Sequence, residues 1–401
     1  MRKRLQLYGD FAKWLALVLW WGAALVAALR VLGTRLGLPW HKIACQSPYC
    51  DFSAFWQVAR MASAGQAALA YDPTEFLRQR VALLGQGGGD LFWFYPPTAL
   101  LAVVGVSALT LYAAFWIWTS AVSSIAFVLL RAADIGFLVI IMGLLSPAAL
   151  WALELGQFGG LTGAALVAGL VACRRLPAGL ALALLVVKPQ AGLLAPVALI
   201  AAGRWRTVAV AAGFSALLMV TSFVWFGAIV WRTYFGIGLQ MSRSMLVILS
   251  VTPGTAQFGV SVFGMLRSFG AAVAVAGFIQ GAAMVLALGG TVWVWRRGDP
   301  VRRVLCTTIL ALLATPYGYV DDMVGVSLAL VLCIQARGWR FSLTDVLLFT
   351  WPALSPVVYT ATGWQVTPVL LLLGLWRSGA GVRVETAPGS AGRAGHSRAA
   401  G

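Results

Sequence analysis

Asp51 opens the stretch Asp51-Phe52-Ser53-Ala54-Phe55-Trp56, in which Phe52, Phe55, Trp56 and Ala59 recur at the spacing of one helix face. A carboxylate at the head of such a helix has two uses. It can cap the helix, a role worth about 1 kcal/mol. It can also stand just above an apolar surface as a general base that takes a proton from a hydroxyl. The two uses are compatible, because a cap holds its carboxylate in one orientation. Cys45 and Cys50 bracket Gln46-Ser47-Pro48-Tyr49 immediately before Asp51. A Cys45–Cys50 disulfide would restrain Asp51; the alternative is two free thiols.

A few other ionisable residues interrupt apolar runs, where charge is expensive and usually functional. They are Glu154, Lys188, Asp321 and Asp322, with Gln157 as a polar companion. Pro189 breaks the helix after Lys188 and frees backbone groups. Lys188 can serve as the cation for a phosphate, or it can be a lysine snorkelling from a helix end. The segment Thr315-Pro316-Tyr317-Gly318-Tyr319-Val320-Asp321-Asp322 marks another helix boundary. Its paired aspartates can bind a divalent cation or orient a sugar hydroxyl, or simply begin a solvated helix. Arg232, Arg243 and Arg267 can bind a phosphate headgroup or anchor the chain at an interface. His41 and His396 lie far apart and suggest no metal site. No cofactor is therefore expected by default, and a divalent cation stays open.

The elements that carry these residues follow from composition. Of 401 residues, 61% are hydrophobic and 10% charged. A soluble domain carries roughly 25% charged residues, so this chain cannot cover a water-facing surface. Its apolar runs repeatedly approach the ~20 residues that span a bilayer as helix. The expected class is an all-α polytopic membrane protein. Spans are expected at 14–32, 98–130, 134–151, 158–173, 177–187, 190–203, 207–227, 271–295, 302–316, 323–336, 343–360 and 364–376. The 98–130 run is long enough for two spans. The 177–203 run is read as a hairpin of two short helices broken at Lys188-Pro189.

The net charge of +17 raises nucleic acid as a partner. The positions of the charges argue against it. Basic clusters punctuate the spans, and 19 of the 29 basic residues fall on one side. That is the positive-inside pattern, which places both termini in the cytoplasm and adds an attraction to membrane lipid headgroups. Residues 1–377 are expected to form one membrane domain, with 33–97 as a first periplasmic loop and 228–270 as a second periplasmic stretch. Residues 378–401 have the composition of a disordered cytoplasmic tail.

Within the first loop, the Asp51 helix is expected to lie flat at the interface, with Ser53, Gln57 and Arg60 on its polar face and Gly65 ending it. Asp72-Pro73-Thr74-Glu75 is the start of a second helix, with Asp72 as N-cap and Glu75 reaching back. Gly85 to Gly89 breaks it, and Phe92-Trp93-Phe94-Tyr95-Pro96-Pro97 returns the chain to the membrane.

These motifs carry a resemblance. The order Asp51-Phe52 to Trp56, Gly65, Tyr71-Asp72-Pro73, Phe94-Tyr95-Pro96-Pro97, Gly156-Gln157, Ala178-Gly179 with Lys188-Pro189, Arg204-Trp205-Arg206 and Thr315-Pro316 resembles the bacterial GT-C glycosyltransferases of glycosyltransferase family 87. That family includes polyprenol-phosphate-mannose-dependent mannosyltransferases. The resemblance covers about residues 50–325. It implies a GT-C-like fold in the inner membrane, a polyprenyl-phosphate-sugar donor used on the periplasmic face, and a glycan or glycolipid acceptor. It also implies Asp51 as general base and Lys188 on the donor phosphate, assisted by Arg243. Asp72, Tyr95, Glu154, Gln157, Tyr317, Asp321 and Asp322 complete the candidate pocket. One departure stands out: the family's late motif commonly carries a His where this chain has Tyr317, Tyr319, Asp321 and Asp322.

The chemistry agrees with the residues. A lipid-phosphate leaving group benefits from a cation, the acceptor hydroxyl needs a base, and attack opposite the leaving group inverts the anomeric centre. The rival readings are a lipid or solute transporter, which would also carry broken helices, and a non-catalytic envelope assembly protein. No internal repeat supports the transporter.

Overall fold

A computed structural model describes residues 51–85, 91–252 and 254–379. The expected first span, the Cys45–Cys50 pair and residues 380–401 lie outside the described residues. The described chain is helical, with a single isolated bridge between Gly259 and Tyr319.

The first-loop segment forms α1 (Phe52–Ser63), a 3-10 turn and α2 (Pro73–Leu84). The chain then enters a bundle through α3 (Thr98–Val103) and α4 (Leu111–Ala132). Next come α5 (Phe137–Leu144), α6 (Pro147–Leu155) and α7 (Gly159–Val171). Two short helices, α8 (Leu176–Ala183) and α9 (Ala195–Ala201), flank Lys188. α10 (Trp205–Phe226) leads to α11 (Ala228–Thr233), a π turn, α12 (Leu239–Leu249) and α13 (Val262–Ser268). The last helices are α14 (Val273–Arg297), α15 (Pro300–Ala314), α16 (Val324–Ala336), α17 (Leu343–Thr362) and α18 (Thr367–Gly379).

Three helices, α4, α10 and α14, are each long and apolar enough to cross a membrane. The pair α5 and α6, bent by 57°, would make a fourth. The other apolar runs fold as shorter helices. The 98–130 run is a short helix, a 3-10 turn and then α4. Trp56 Nε1 donates to the Leu109 carbonyl at 2.9 Å, so the chain is back beside α1 before α4 begins. Of that run, only α4 is long and apolar enough to cross a membrane.

Helix α7 is the centre of the bundle, packed against α4, α8 and α16. Its sequence Gly159-Gly160-Leu161-Thr162-Gly163-Ala164-Ala165 explains this. Small residues let backbones approach closely where apolar attraction between helices is weak. A methyl group at Gly163 would sit 2.6 Å from the Gly325 nitrogen on α16. At Gly159 it would strike the Asp321 carbonyl.

The bundle has two distinct ends. At one end Arg175 pairs with Asp134, Thr207 donates to the Cys173 carbonyl, and Arg337 pairs with Asp345 at 3.1 Å. At the other lie Asp51, Gln157, Lys188 and Asp321. The 177–203 run begins and ends at the arginine end and has Lys188 at its tip, so it is a hairpin, with 3-10 turns on either side of the tip.

Candidate active site

Asp51 occupies the N-cap position of α1, but its side chain makes no capping hydrogen bond. It reaches across to the α6–α7 turn instead, where Gln157 Nε2 donates to its Oδ2 at 2.5 Å. The Tyr95 hydroxyl donates to Gln157 Oε1 at 2.6 Å. The turn is fixed by Gly156 in the left-handed region (φ 69°, ψ 28°), a conformation glycine adopts without strain. Trp118 Nε1 donates to the Gly156 carbonyl at 2.8 Å. Phe55 and Phe158 meet the Tyr95 ring edge-on, each 5.2 Å away. An aromatic cluster therefore holds all three polar partners.

Lys188 lies in the break between the hairpin helices. Its side chain is buried, so the snorkelling alternative does not apply. The ammonium bonds Asp322 Oδ1 and lies 3.5 Å from Asp321 Oδ2. Asp322 also accepts from the Tyr319 backbone N–H at 3.1 Å, which fixes the short turn after the Thr315–Pro316 segment. Tyr319 is set among Asp51, Lys188, Asp321 and Asp322, and burial followed by the Asp51 charge pushes its hydroxyl pKa up. The late aspartates thus answer Lys188 rather than forming a solvated helix start.

Electrostatics follow from the crowding. Burial raises the Asp51 pKa above the ordinary carboxylate value. The Gln157 hydrogen bond, then Lys188 and Arg80, act against that rise. Burial also raises Asp321, although Lys188 pulls the other way. For Lys188, burial works to lower the pKa, but Asp322 and Asp321 outweigh it and keep the group charged.

Arg80 is a residue the sequence reading passed over, and Tyr319 was named there only as part of the late motif, without a place in the pocket. Arg80, on α2, is almost wholly buried. It donates to Ser53 Oγ at 2.6 Å and to Gln57 Oε1 at 3.3 Å. This corrects the picture of α1 as a flat interfacial helix. Ser53 and Gln57 do not face solvent or headgroups; they are buried against α2, and only Arg60 on that face is exposed. A signal was present. Arg80 falls four residues after Phe76, on the apolar face of α2.

The remaining candidates divide. Asp72 caps α2 by accepting from the Glu75 N–H at 3.0 Å, as its sequence context suggests. Glu75 does not reach back; Arg78 and Gln79 hold it instead. Glu154 is buried near the end of α6. Tyr317 is half-buried, with its backbone N–H on Thr315 Oγ1. Arg243 is exposed on α12 and is not paired with Lys188 or either aspartate. Among the described residues, no group of three or more His, Cys, Asp and Glu is placed to hold a metal.

Two cavities open beside the cluster. One is a largely apolar slot lined by Trp118, Val122, Leu144, Leu153 and Gln157. The other carries Thr162, Gln190, Thr308, Thr315 and Asp322.

The family model of glycosyltransferase family 87 matches residues 93–316, more than half of the chain. The chain belongs to glycosyltransferase family 87. Comparison with curated proteins and with solved structures returns no match. The matched part of this glycosyltransferase contains Tyr95, Gln157 and Lys188. Asp51 lies upstream of it, and Asp321 and Asp322 lie just beyond, so the fold closes the site from three separate parts of the chain.

Proposed function

We propose that this family 87 glycosyltransferase takes a mannose-like hexose or a pentose from a polyprenyl-phosphate donor. It transfers the sugar to a lipid-linked or cell-envelope glycan on the periplasmic face of the inner membrane. Asp51 is the general base and the reaction inverts the anomeric centre. The observation that carries this reading is the carboxylate of Asp51, freed from capping and held by Gln157 on the same face as buried Lys188. The acceptor hydroxyl gives its proton to Asp51 as its oxygen attacks the anomeric carbon. The bond to the phosphate oxygen breaks, and the electron pair leaves with the lipid phosphate.

Lys188 supplies positive charge to that leaving group. Its resting partners are Asp322 and Asp321, so the phosphate competes with them for the ammonium. Arg243, exposed on the second stretch, meets the donor headgroup from solvent. The slot that reaches Gln157 is mostly apolar and the cavity beside Asp322 carries hydroxyl groups, so lipid is assigned to the first side and sugar to the second. This minimal set uses no cofactor; adding EDTA to the assay tests for a divalent cation. The twelve-span arrangement, with 1–377 as one membrane domain and both termini in the cytoplasm, belongs to the same reading.

The test is direct. Purified full-length protein is incubated with a panel of synthetic polyprenyl-phosphate sugars and a membrane lipid extract, and transfer is scored by mass. One sugar should be transferred, and Asp51→Asn should lower the rate by at least 10²-fold. Wild-type transfer by folded Asp51→Asn removes Asp51 as the base. Counterflow of labelled sugar lipid without product favours transport.

A further inference from the structure

We propose that Gln157 is a positioning residue whose amide is locked by Tyr95, so that it presents only N–H to Asp51 and leaves one carboxylate oxygen for the acceptor hydroxyl. This rests on the reading of Asp51 as the base.

The argument is one of donors and acceptors. A glutamine amide has an oxygen that only accepts and a nitrogen that only donates. With Asp51 ionised, Gln157 Oε1 cannot face it, because two acceptors would meet. The Tyr95 hydroxyl completes the pattern by donating to that oxygen at 2.6 Å. Burial keeps the phenol protonated, with its pKa pushed up further by Asp321, Asp322 and Asp51 against the pull of Lys188. Turning the amide over would take Oε1 from the Tyr95 hydroxyl and set it against the Asp51 carboxylate, so the Tyr95 bond favours the orientation that stabilises ionised Asp51.

The backbone supports this role. The Gln157 N–H is bound to the Ala152 carbonyl at 2.8 Å. A methyl group at Gly156 would stand 2.5 Å from Phe52 Cβ, so the turn rests directly on the residue after Asp51. Gln157 cannot drift relative to α1. It is also the strongest influence opposing burial at Asp51. The other charged or titratable groups facing Asp51 are Lys188 from the hairpin tip, Arg80 from α2, Tyr95 from the segment before α3, and Tyr319 and Asp321 from the late turn. They are common to wild type and variant, so a change on altering Gln157 reports Gln157.

The test needs no substrate. Infrared titration of the full-length protein in lipid nanodiscs follows carboxyl C=O bands, and the Asp51 band is the one lost in Asp51→Asn. In Gln157→Leu the midpoint of that band should rise by about one to two pH units. Tyr95→Phe, which removes a single oxygen, should move it in the same direction by less. An unchanged midpoint in both variants, each monodisperse and folded by circular dichroism, overturns the proposal. Should Gln157→Leu fail to fold, the Tyr95→Phe titration decides alone. The readout separates this inference from the proposed function. If the midpoint shifts while Asp51→Asn still transfers sugar at the wild-type rate, Gln157 controls Asp51 but Asp51 is not the base.

Discussion

Lys188 carries a positive charge into a nearly dry place, and two aspartates make that possible. Removing one member of a buried ionic cluster costs about 3–5 kcal/mol, because the others are left uncompensated. Lys188→Met should therefore lower the melting temperature, and the loss should depend on pH with a definite sign. Burial already raises the Asp321 pKa against the pull of Lys188, so without the ammonium its folded-state value stands further above the unfolded one. The destabilisation is then greatest at high pH and is relieved as pH falls and Asp321 protonates. Thermal unfolding of the detergent-purified variant between pH 5 and 8 checks this. A deficit that is the same at every pH means the aspartates are not Lys188's dependants. Asp51, Gln157, Lys188, Asp321 and Asp322 were legible in the sequence because polar groups are rare there and expensive at membrane depth. Their partnerships were not. Gln157 meets Asp51 across 106 residues and Lys188 meets Asp322 across 134, and nothing local encodes such pairs.

At the scale of elements, the stops and starts of α1 and α2 were readable from Gly65, Asp72-Pro73 and Gly85, each a local steric or hydrogen-bonding device. How the two helices face each other was not. Amphipathic spacing put Ser53 and Gln57 opposite the apolar face of α1, and water or headgroups were the obvious neighbours. The fold offers them Arg80 instead, a cation that α2 could bury only by finding polar partners. Arg80 thereby joins the helix headed by Asp51 to the rest of the loop. Arg80→Leu removes the charge and its donors together and takes from Ser53 Oγ and Gln57 Oε1 the hydrogen bonds Arg80 gave them, a loss of about 1–3 kcal/mol for each buried oxygen left unsatisfied. Limited proteolysis should cut the 64–72 segment faster in the variant than in wild type, with the bundle helices unaffected. Equal cutting rates would mean that apolar packing alone holds α1 on α2. The 98–130 run shows the same limit of local reading. Its composition is continuous, while the chain packs a short helix and a 3-10 turn beside α1, bonded to it at Leu109, before the long apolar α4 begins.

At the scale of the molecule, charge separates the two ends. The α7, α8, α9, α15 and α16 helices run between a cluster of carboxylates with Lys188 and an end carrying Arg131, Arg175, Arg204, Arg302 and Arg337. Composition alone made the membrane class legible, since 10% charge cannot clothe a soluble surface. The number of crossings was harder to read, because several runs fold as helices of 7 to 15 residues, too short to span by themselves. Orientation rests on the positive-inside rule, which counts Lys and Arg in short loops near helix ends. That rule predicts a cytoplasmic arginine end and an Asp51 that faces the periplasm, the side on which the proposed donor and acceptor would meet. Single cysteines placed in a background without native thiols test it. Ala64→Cys, on the exposed turn after α1, should react with a membrane-impermeant maleimide in intact cells. Arg340→Cys, between α16 and α17, should react only after permeabilisation. The opposite pattern would turn the molecule over and place sugar transfer on the cytoplasmic side, where nucleotide-linked sugars, not lipid-linked ones alone, compete for the role of donor.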